Sequence, residues 1–248
     1  MTETFAALLF AHALADFIFQ TNAMASGKQA RRPAPFALHI AIVAATATLA
    51  LGTADWVPIA ILTAAHLAID MAKTFAPANR LWPFIADQSA HILVLAAISV
   101  SMPGLWSMGI WGGMLAATLR LDTLPSLMAL AAGLILATRA GGFAVGLLMA
   151  PWAALDLPKG LANGGKLIGW MERGLIFLLV IVGQTGQIGF LIAAKSILRF
   201  ETASKDQQAG EYVIIGTLAS FGWALAAAYA TLALTGHLPP LGILPATP

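Results

Sequence analysis

Histidine and aspartate residues recur at one spacing within the first hundred residues of the chain. Three pairs have their members four residues apart, namely His12 with Asp16, His66 with Asp70, and Asp87 with His91. Because positions i and i+4 lie on one face of a helix, each pair presents an imidazole beside a carboxylate. These groups together bind Zn²⁺, Mn²⁺ or Fe²⁺, and they also serve in proton transfer. The spacing therefore indicates metal or proton chemistry.

The order within the pairs predicts the depth of each residue. Two pairs read His-x-x-x-Asp and the third reads Asp-x-x-x-His. If the third pair lies on a helix that runs opposite to the other two, residues of one type come to one level. We therefore expect a layer of three histidines (His12, His66, His91) and a layer of three aspartates (Asp16, Asp70, Asp87). His39, near the start of the intervening helix, should lie close to the aspartates.

The composition indicates what kind of protein carries these layers. Of 248 residues, 59% are hydrophobic and only 10% are charged, whereas charged residues make up about 25% of soluble domains. The length allows roughly seven or eight membrane spans of about 20 residues with short loops. The fold class predicted is all-α, a polytopic transmembrane helical bundle of about eight spans. A net charge of +2 gives no sign of nucleic-acid binding, and membrane lipid is the expected partner.

Apolar runs between Pro, Gly and charged residues predict the positions of the spans. The predicted helices cover about 4–20, 36–51, 56–73, 84–101, 106–119, 125–149, 167–198 and 212–234. The seventh is about 48 Å long as a straight helix, more than the ~30 Å hydrocarbon core, so we expect it to break near residues 183–186. We divide the chain into a His/Asp-bearing half (1–101), middle helices (102–160), C-terminal helices (161–236) and a Pro-rich tail (237–248). In this order Glu172 and Arg173 lie on the side opposite to the aspartates.

The basic residues of the short loops predict the orientation. Five of them lie in the loops at 21–35 and 73–83, and the turns at 52–55 and 102–105 contain none. Since Lys and Arg are enriched in cytoplasmic loops, the aspartate layer should lie near the cytoplasmic side. Both termini should then lie on the non-cytoplasmic side.

A shared metal ion would account for so many polar groups at one level. A charge at the bilayer centre costs about 2.5–3.5 kcal/mol on insertion scales, and a divalent cation would relieve several groups together. The predicted ligands are His12, Asp16, His39, His66, Asp70, Asp87 and His91. They would suffice for one or two ions of Zn²⁺, Mn²⁺ or Fe²⁺. A proton relay and purely structural pairing between helices remain as alternatives.

Three strings of residues resemble a known family signature. They are HALADFIFQ at 12–20, HLAIDMAK at 66–73 and DQSAH at 87–91, and they are similar to the bacterial integral-membrane domain-of-unknown-function 3307 family. Segments at 165–173, 188–200 and 211–220 resemble its later motifs. The resemblance implies an integral protein of the bacterial inner membrane, in a family whose activity is uncharacterised. The first-half motifs are also similar, more loosely, to membrane-bound metal-dependent hydrolase-like proteins.

Our main functional hypothesis is a metal-dependent hydrolase that acts at the cytoplasmic leaflet on a lipid or another phosphate-containing substrate. Asp87 or Asp16 would be the general base, and Lys73 or Arg199 would stabilise the leaving group. A substrate phosphate or carboxylate would be held by Lys73, Lys195 and Arg199, although Lys and Arg at helix ends also serve as interfacial anchors.

Two other classes of function remain open. A divalent-metal or proton-coupled transporter is suggested by the recurrence of His12 and Asp16 as His66 and Asp70, because transporters often contain internal repeats. A non-catalytic membrane subunit could use the polar network to fix helix packing. The sequence identifies neither the substrate nor the oligomeric state.

Overall fold

The structure, a computed structural model, describes residues 1–113, 121–152, 161, 163–205 and 207–242, with backbone alone over 198–205. Within these residues every regular element is a helix. The helices are α1 (Thr2–Phe19), α2 (Asn22–Gln29), α3 (Pro33–Leu51), α4 (Trp56–Lys73), α5 (Leu81–Ser101), α6 (Leu105–Met108), α7 (Leu124–Trp152), α8 (Gly164–Ile181), α9 (Gln187–Lys205) and α10 (Gln207–Thr235).

The predicted transmembrane helical bundle is confirmed. Six helices in the described ranges are long and apolar enough to cross a membrane, namely α1, α3, α4, α5, α7 and α10. The long apolar run after residue 164 is divided as expected, because α8 ends at Ile181 and Gly183 turns the chain with a φ of +74°. This division produces α8 and α9, and α9 contains a shorter apolar stretch, Gln187–Ile197.

Helix α1 lies at the centre of the bundle, in contact with α3, α5 and α7. At the end of the bundle that contains Thr2, which we call the Thr2 end, apolar side chains fill the space between the helices. Leu8, Leu51, Leu62 and Leu95 are each at most 4% exposed in this core. The opposite end, which contains Asp16 and is called the Asp16 end, carries most of the buried polar residues.

The predicted direction of α7 is wrong, because α7 runs parallel to α1. Ala129 of α7 packs with Ala6 at the Thr2 end, and the ring of Phe143 lies 6.3 Å from that of Phe17 at the Asp16 end. The prediction assumed a full span at 106–119, but residues 105–113 form α6 and turns that stay at the Thr2 end. There the Ile110 amide donates to the Gly52 carbonyl at 2.8 Å. Residues 114–120 lie outside the described part.

Because of this change of direction, the residues of α8 lie at the other end of the bundle from the one predicted. Arg173 of α8 is 4% exposed, and its guanidinium donates to the carbonyl of Thr138 at 3.0 and 3.3 Å and to Ser220 Oγ at 3.0 Å. Thr138 belongs to a π-helical turn of α7, Leu136–Ala140, which packs against the π-helical turn Ala15–Phe19 of α1. Glu172 and Arg173 therefore lie level with the segment that carries Asp16 and not on the opposite side.

The first and last described segments meet at the same end of the bundle. The hydroxyl of Thr2 donates to the carbonyl of His237 at 3.2 Å, and the hydroxyl of Ser126 donates to that of Pro239 at 2.5 Å. Residues 243–248 of the Pro-rich tail are outside the described part. Which side of a membrane this end faces remains a prediction.

Candidate metal centre and its cavity

One aspartate and two histidines from three helices converge in the first ligand group, which consists of Asp16, His39 and His66. Nε2 of His39 lies 3.0 Å from Nε2 of His66, and each of these atoms lies 3.4 Å from Oδ1 of Asp16. All three residues are at most 8% exposed. Tetrahedral zinc with bonds of about 2.0–2.2 Å holds its ligand atoms roughly 3.3–3.6 Å apart. The group therefore has nearly the dimensions of a metal site.

Asp70 lies beside the first ligand group and also forms an ion pair with a lysine. Its Oδ2 is 3.5 Å from His39 Nε2 and 3.8 Å from His66 Nε2. The same oxygen accepts a hydrogen bond of 2.6 Å from the ammonium of Lys28. Asp70 is therefore placed to join the ligands or to stay paired with Lys28.

Lys28 is one of the residues of this region that the sequence did not indicate as part of a site, as are Arg80 and Gln88. Lys28 belongs to α2, a short helix capped by the Thr21 hydroxyl, which accepts from the Met24 amide at 3.2 Å. Gly27 lies against the ring of Pro35, where a Cβ would clash, and this contact holds α2 close to α3. Thr21, a residue type that often caps helices, was the available signal that a helix follows. The burial of Lys28 to 8% exposure depends on tertiary packing.

A second ligand group consists of His12, Asp16 and His91. Nε2 of His12 lies 3.2 Å from the amide oxygen of Gln88, and Nδ1 of His91 lies 2.9 Å from the backbone carbonyl of Asp87. Gln88 is oriented by its own amide nitrogen, which donates to Asp87 Oδ2 at 3.0 Å. The inner atoms of the group, His12 Nδ1, Asp16 Oδ1 and His91 Nε2, are buried and have no hydrogen-bond partner in the described structure.

The structure places the predicted histidine layer together. The imidazole of His91 lies 4.1 Å from that of His66 and 5.0 Å from that of His12, measured between ring centroids. Among the described residues, three sets have ligand atoms within 4.8 Å of one another: the first ligand group, the second ligand group, and His66 with Asp70 and His91. These sets include six of the seven predicted ligands.

The seventh predicted ligand, Asp87, has a different environment. Its Oδ2 accepts a 2.6 Å hydrogen bond from Lys73, and its Oδ1 is buried without a hydrogen-bond partner, 3.7 Å from His91 Nδ1. Asp87 falls outside the three ligand sets. Its carboxylate instead holds the Lys73 ammonium and the Gln88 amide.

A cavity of about 670 Å³ opens beside the ligand groups. Asp16 and Asp70 form part of its wall. The basic side chains on the wall are those of Lys28, Lys73 and Arg80, and its larger apolar side chains are Phe17, Phe84, Phe143 and Leu147. The cavity therefore combines carboxylates, cations and an apolar surface, which suits an amphiphilic anion.

One predicted substrate-binding residue, Lys195, is not brought to this cavity. The ammonium of Lys195 is 2.6 Å from Glu172 Oε2 and 5.4 Å from the centre of the Phe221 ring, and Lys195 is not part of the cavity wall. The side chain of Arg199 lies outside the described residues. Of the predicted substrate-binding cations whose side chains are described, Lys73 is the one on the cavity wall.

Comparison with known proteins addresses the first half of the chain. No curated protein and no solved structure matches this chain. The family model described as protein of unknown function (DUF3307) matches residues 4–109, the segment from α1 to α6. All seven predicted His and Asp ligands lie within it. The predicted resemblance is thus confirmed over this segment, which is similar to the DUF3307 family from α1 to α6.

Proposed function

We propose that this integral membrane protein holds a divalent cation in the first ligand group and hydrolyses a phosphate-containing membrane lipid. The observation that carries the proposal is the convergence of Asp16, His39 and His66, with ligand atoms 3.0–3.4 Å apart, beside a cavity with basic and apolar walls. Zn²⁺, Mn²⁺ and Fe²⁺ suit imidazole and carboxylate ligands.

The buried polar atoms fit such an ion. Asp16 Oδ1 is buried without a hydrogen-bond partner although the oxygen faces the two imidazole nitrogens of the first ligand group. A buried carboxylate oxygen without partners is unfavourable, because it has lost its hydration. A cation between the three ligand atoms would satisfy that oxygen and separate the two closely spaced nitrogens.

The residues around the ion would divide the remaining chemistry. The ion itself would supply Lewis-acid activation of a phosphoryl oxygen and of water. Asp70, on the cavity wall beside the ligand group, would accept the proton of the attacking water. Lys73 and Arg80, on the same wall, would bind the phosphate oxygens. In this assignment Asp16 is a ligand and not the base, and Asp87 holds Lys73 in position.

The apolar part of the cavity would receive the lipid chain. The rings of Phe17 and Phe143, 6.3 Å apart, come from α1 and α7, and Phe84 comes from α5. The volume of about 670 Å³ lies within the range of about 300–1,000 Å³ that is usual for small-molecule sites. These features favour a lipid with a phosphate headgroup over a water-soluble phosphate compound.

The packing at the Thr2 end favours hydrolysis over transport. A transporter must expose its site alternately to both sides, and here the core of Leu8, Leu51, Leu62 and Leu95 lies between the histidine layer and the Thr2 end. The cavity approaches the ligand groups from the Asp16 end. A transporter would have to open that core in every cycle.

The proposal is tested by assaying the full chain, purified in detergent, on lipid phosphates such as phosphatidic acid in mixed micelles. We expect phosphate release that EDTA abolishes and that Mn²⁺ or Zn²⁺ restores. His66→Ala should reduce metal content and lower turnover at least about 100-fold. His237→Ala is the matched control, because His237 is exposed at the Thr2 end.

Two outcomes would overturn the hydrolase assignment. One is full turnover by metal-free protein. The other is stoichiometric metal without hydrolysis of any lipid phosphate, combined with Mn²⁺ or Zn²⁺ flux in proteoliposomes, which would favour a transporter. A non-catalytic subunit predicts neither stoichiometric metal nor turnover.

A further inference from the structure

We propose that the second ligand group holds its own divalent cation, so that Asp16 bridges two ions in a binuclear centre. This inference rests on the proposed metal site at Asp16, His39 and His66. Asp16 is the residue that the two groups share, and the second ion would take its nitrogen ligands from His12 and His91.

The hydrogen bonds of the two histidines fix which ring nitrogen is free to bind a metal. The Gln88 amide oxygen and the Asp87 carbonyl are acceptors only, so His12 Nε2 and His91 Nδ1 must carry the protons. In a neutral imidazole the other nitrogen then has a lone pair. His12 Nδ1, which is 3.8 Å from Asp16 Oδ1, and His91 Nε2 therefore both carry lone pairs.

The orientation of Gln88 is itself determined. Its amide nitrogen donates to Asp87 Oδ2, and Asp87 Oδ2 also accepts from Lys73. Rotation of the amide would put its oxygen against the carboxylate, which is repulsive. Gln88 thus acts as the outer hydrogen-bond partner that is typical of histidines bound to metals.

These lone pairs accept no hydrogen bond in the described structure. His12 Nδ1, Asp16 Oδ1 and His91 Nε2 are all buried without a partner, in residues that are 4%, 8% and 2% exposed. The three residues offer ligand atoms within 4.8 Å of one another. A single cation between them would bind all three atoms, and small rotations of the side chains would bring the atoms to bonding distance.

The two ligand groups are close enough to act together. The imidazole centroids of His66, in the first group, and His91, in the second, are 4.1 Å apart. Asp16 Oδ1 is 3.4 Å from the Nε2 atoms of His39 and His66 and 3.8 Å from His12 Nδ1. A carboxylate oxygen has two lone pairs and can bind two ions, and the ions of binuclear hydrolytic sites are about 3.5–4 Å apart. A binuclear centre would clamp a phosphate between its ions.

The test is a titration of the EDTA-stripped full chain in detergent with Mn²⁺ alone, followed by equilibrium dialysis, metal analysis and electron paramagnetic resonance. We expect two Mn²⁺ per chain, with the exchange-coupled spectrum of neighbouring ions. His91→Ala and His12→Ala should each bind one Mn²⁺ and show the six-line spectrum of an isolated ion. His237→Ala should retain two coupled ions.

Gln88→Leu provides a variant outside the ligand set in case the histidine variants do not fold. It removes the acceptor that fixes the His12 tautomer, and we expect affinity for the second ion to fall about 10- to 100-fold with little change for the first. A purely structural Gln88 would affect both ions equally and would contradict the inference.

The outcomes separate this inference from the proposed function. One Mn²⁺ in the wild-type chain, or two in His12→Ala and His91→Ala, would overturn the second site even if hydrolysis were observed. Two coupled ions without hydrolysis would leave the binuclear centre standing and overturn the hydrolase assignment.

Discussion

The ammonium of Lys28 lies 2.6 Å from Oδ2 of Asp70, and both side chains are at least nine-tenths buried. The same carboxylate oxygen is 3.5 Å from His39 Nε2. A cation at the first ligand group would therefore stand near Lys28 and share the charge of Asp70 with it. The pair joins the short helix α2 to the proposed metal centre.

Replacing Lys28 with Met should make stability depend on metal. Removing one partner of a buried ion pair costs about 3–5 kcal/mol, because the remaining charge is left uncompensated. We expect Lys28→Met to melt well below wild type in EDTA and to recover most of the difference in saturating Mn²⁺. The measurement is thermal unfolding in detergent under both conditions.

Lys166→Met is the control for that experiment, because Lys166 is exposed on α8. It should melt like wild type in EDTA and in Mn²⁺. Equal destabilisation of Lys28→Met with and without metal would mean that the ion does not compensate the charge of Asp70.

Lys73 should affect substrate binding and leave the metal in place. Its side chain is 38% exposed, so its pair with Asp87 is worth about 1 kcal/mol or less after solvent screening. We expect Lys73→Met to bind as much Mn²⁺ as wild type and to raise KM for phosphatidic acid about 10-fold, the loss of one charge-assisted contact. Loss of bound metal in this variant would contradict the division of roles.

The positions of the His and Asp residues show what periodicity predicts well. Spacing of four residues placed His12 with Asp16 on one helix face, and alternating helix direction placed His91 beside His66. Both relationships depend only on local geometry and on the antiparallel order of neighbouring helices. The first four membrane helices obey that order, and so the layers follow.

The residues that were not predicted depend on how distant segments pack. From the sequence, Lys28 is expected to be a cation of a loop. Its burial becomes evident only from the packing of α2 against α3, which the Gly27 contact allows. The direction of α7 depends on whether residues 105–113 cross the membrane, and hydropathy alone does not distinguish a crossing from α6 and its turns. Arg173 came to the level of Asp16 for the same reason.

Arg173 should contribute to stability and not to metal binding. Its guanidinium donates to the half-buried Thr138 carbonyl and to the buried Ser220 hydroxyl, and a buried group such as that hydroxyl costs about 1–3 kcal/mol when left unpaired. Arg173→Met should lower the melting temperature clearly while the folded protein still binds metal. Arg139→Met, which removes a guanidinium stacked 4.2 Å from the Trp170 ring centre, should have a much smaller effect. A folded Arg173→Met protein without metal would contradict this separation.

Two glycines of α7 provide a test of the packing that holds the C-terminal helices to the site. A Cβ at Gly133 would overlap the Thr231 hydroxyl of α10, whereas a Cβ at Gly146 would meet nothing within 4 Å. We expect Gly133→Ala to destabilise the protein by about 1–3 kcal/mol through overpacking. Gly146→Ala should be neutral or slightly stabilising, because Ala is the better helix former. Equal melting temperatures for the two variants would contradict the close approach of α7 and α10.

The metal content of Asp16→Asn is the sharpest test of the proposed metal centre, because Asp16 is the carboxylate common to both ligand groups. The matched control is Asp55→Asn, since Asp55 caps α4 by accepting from the Val57 amide at 3.0 Å and lies outside the three ligand sets. Each protein would be stripped with EDTA, dialysed against Mn²⁺ and analysed for bound metal, with its fold checked by gel filtration. We expect wild-type metal content in Asp55→Asn and almost none in folded Asp16→Asn. Full metal content in folded Asp16→Asn would contradict the proposed metal centre.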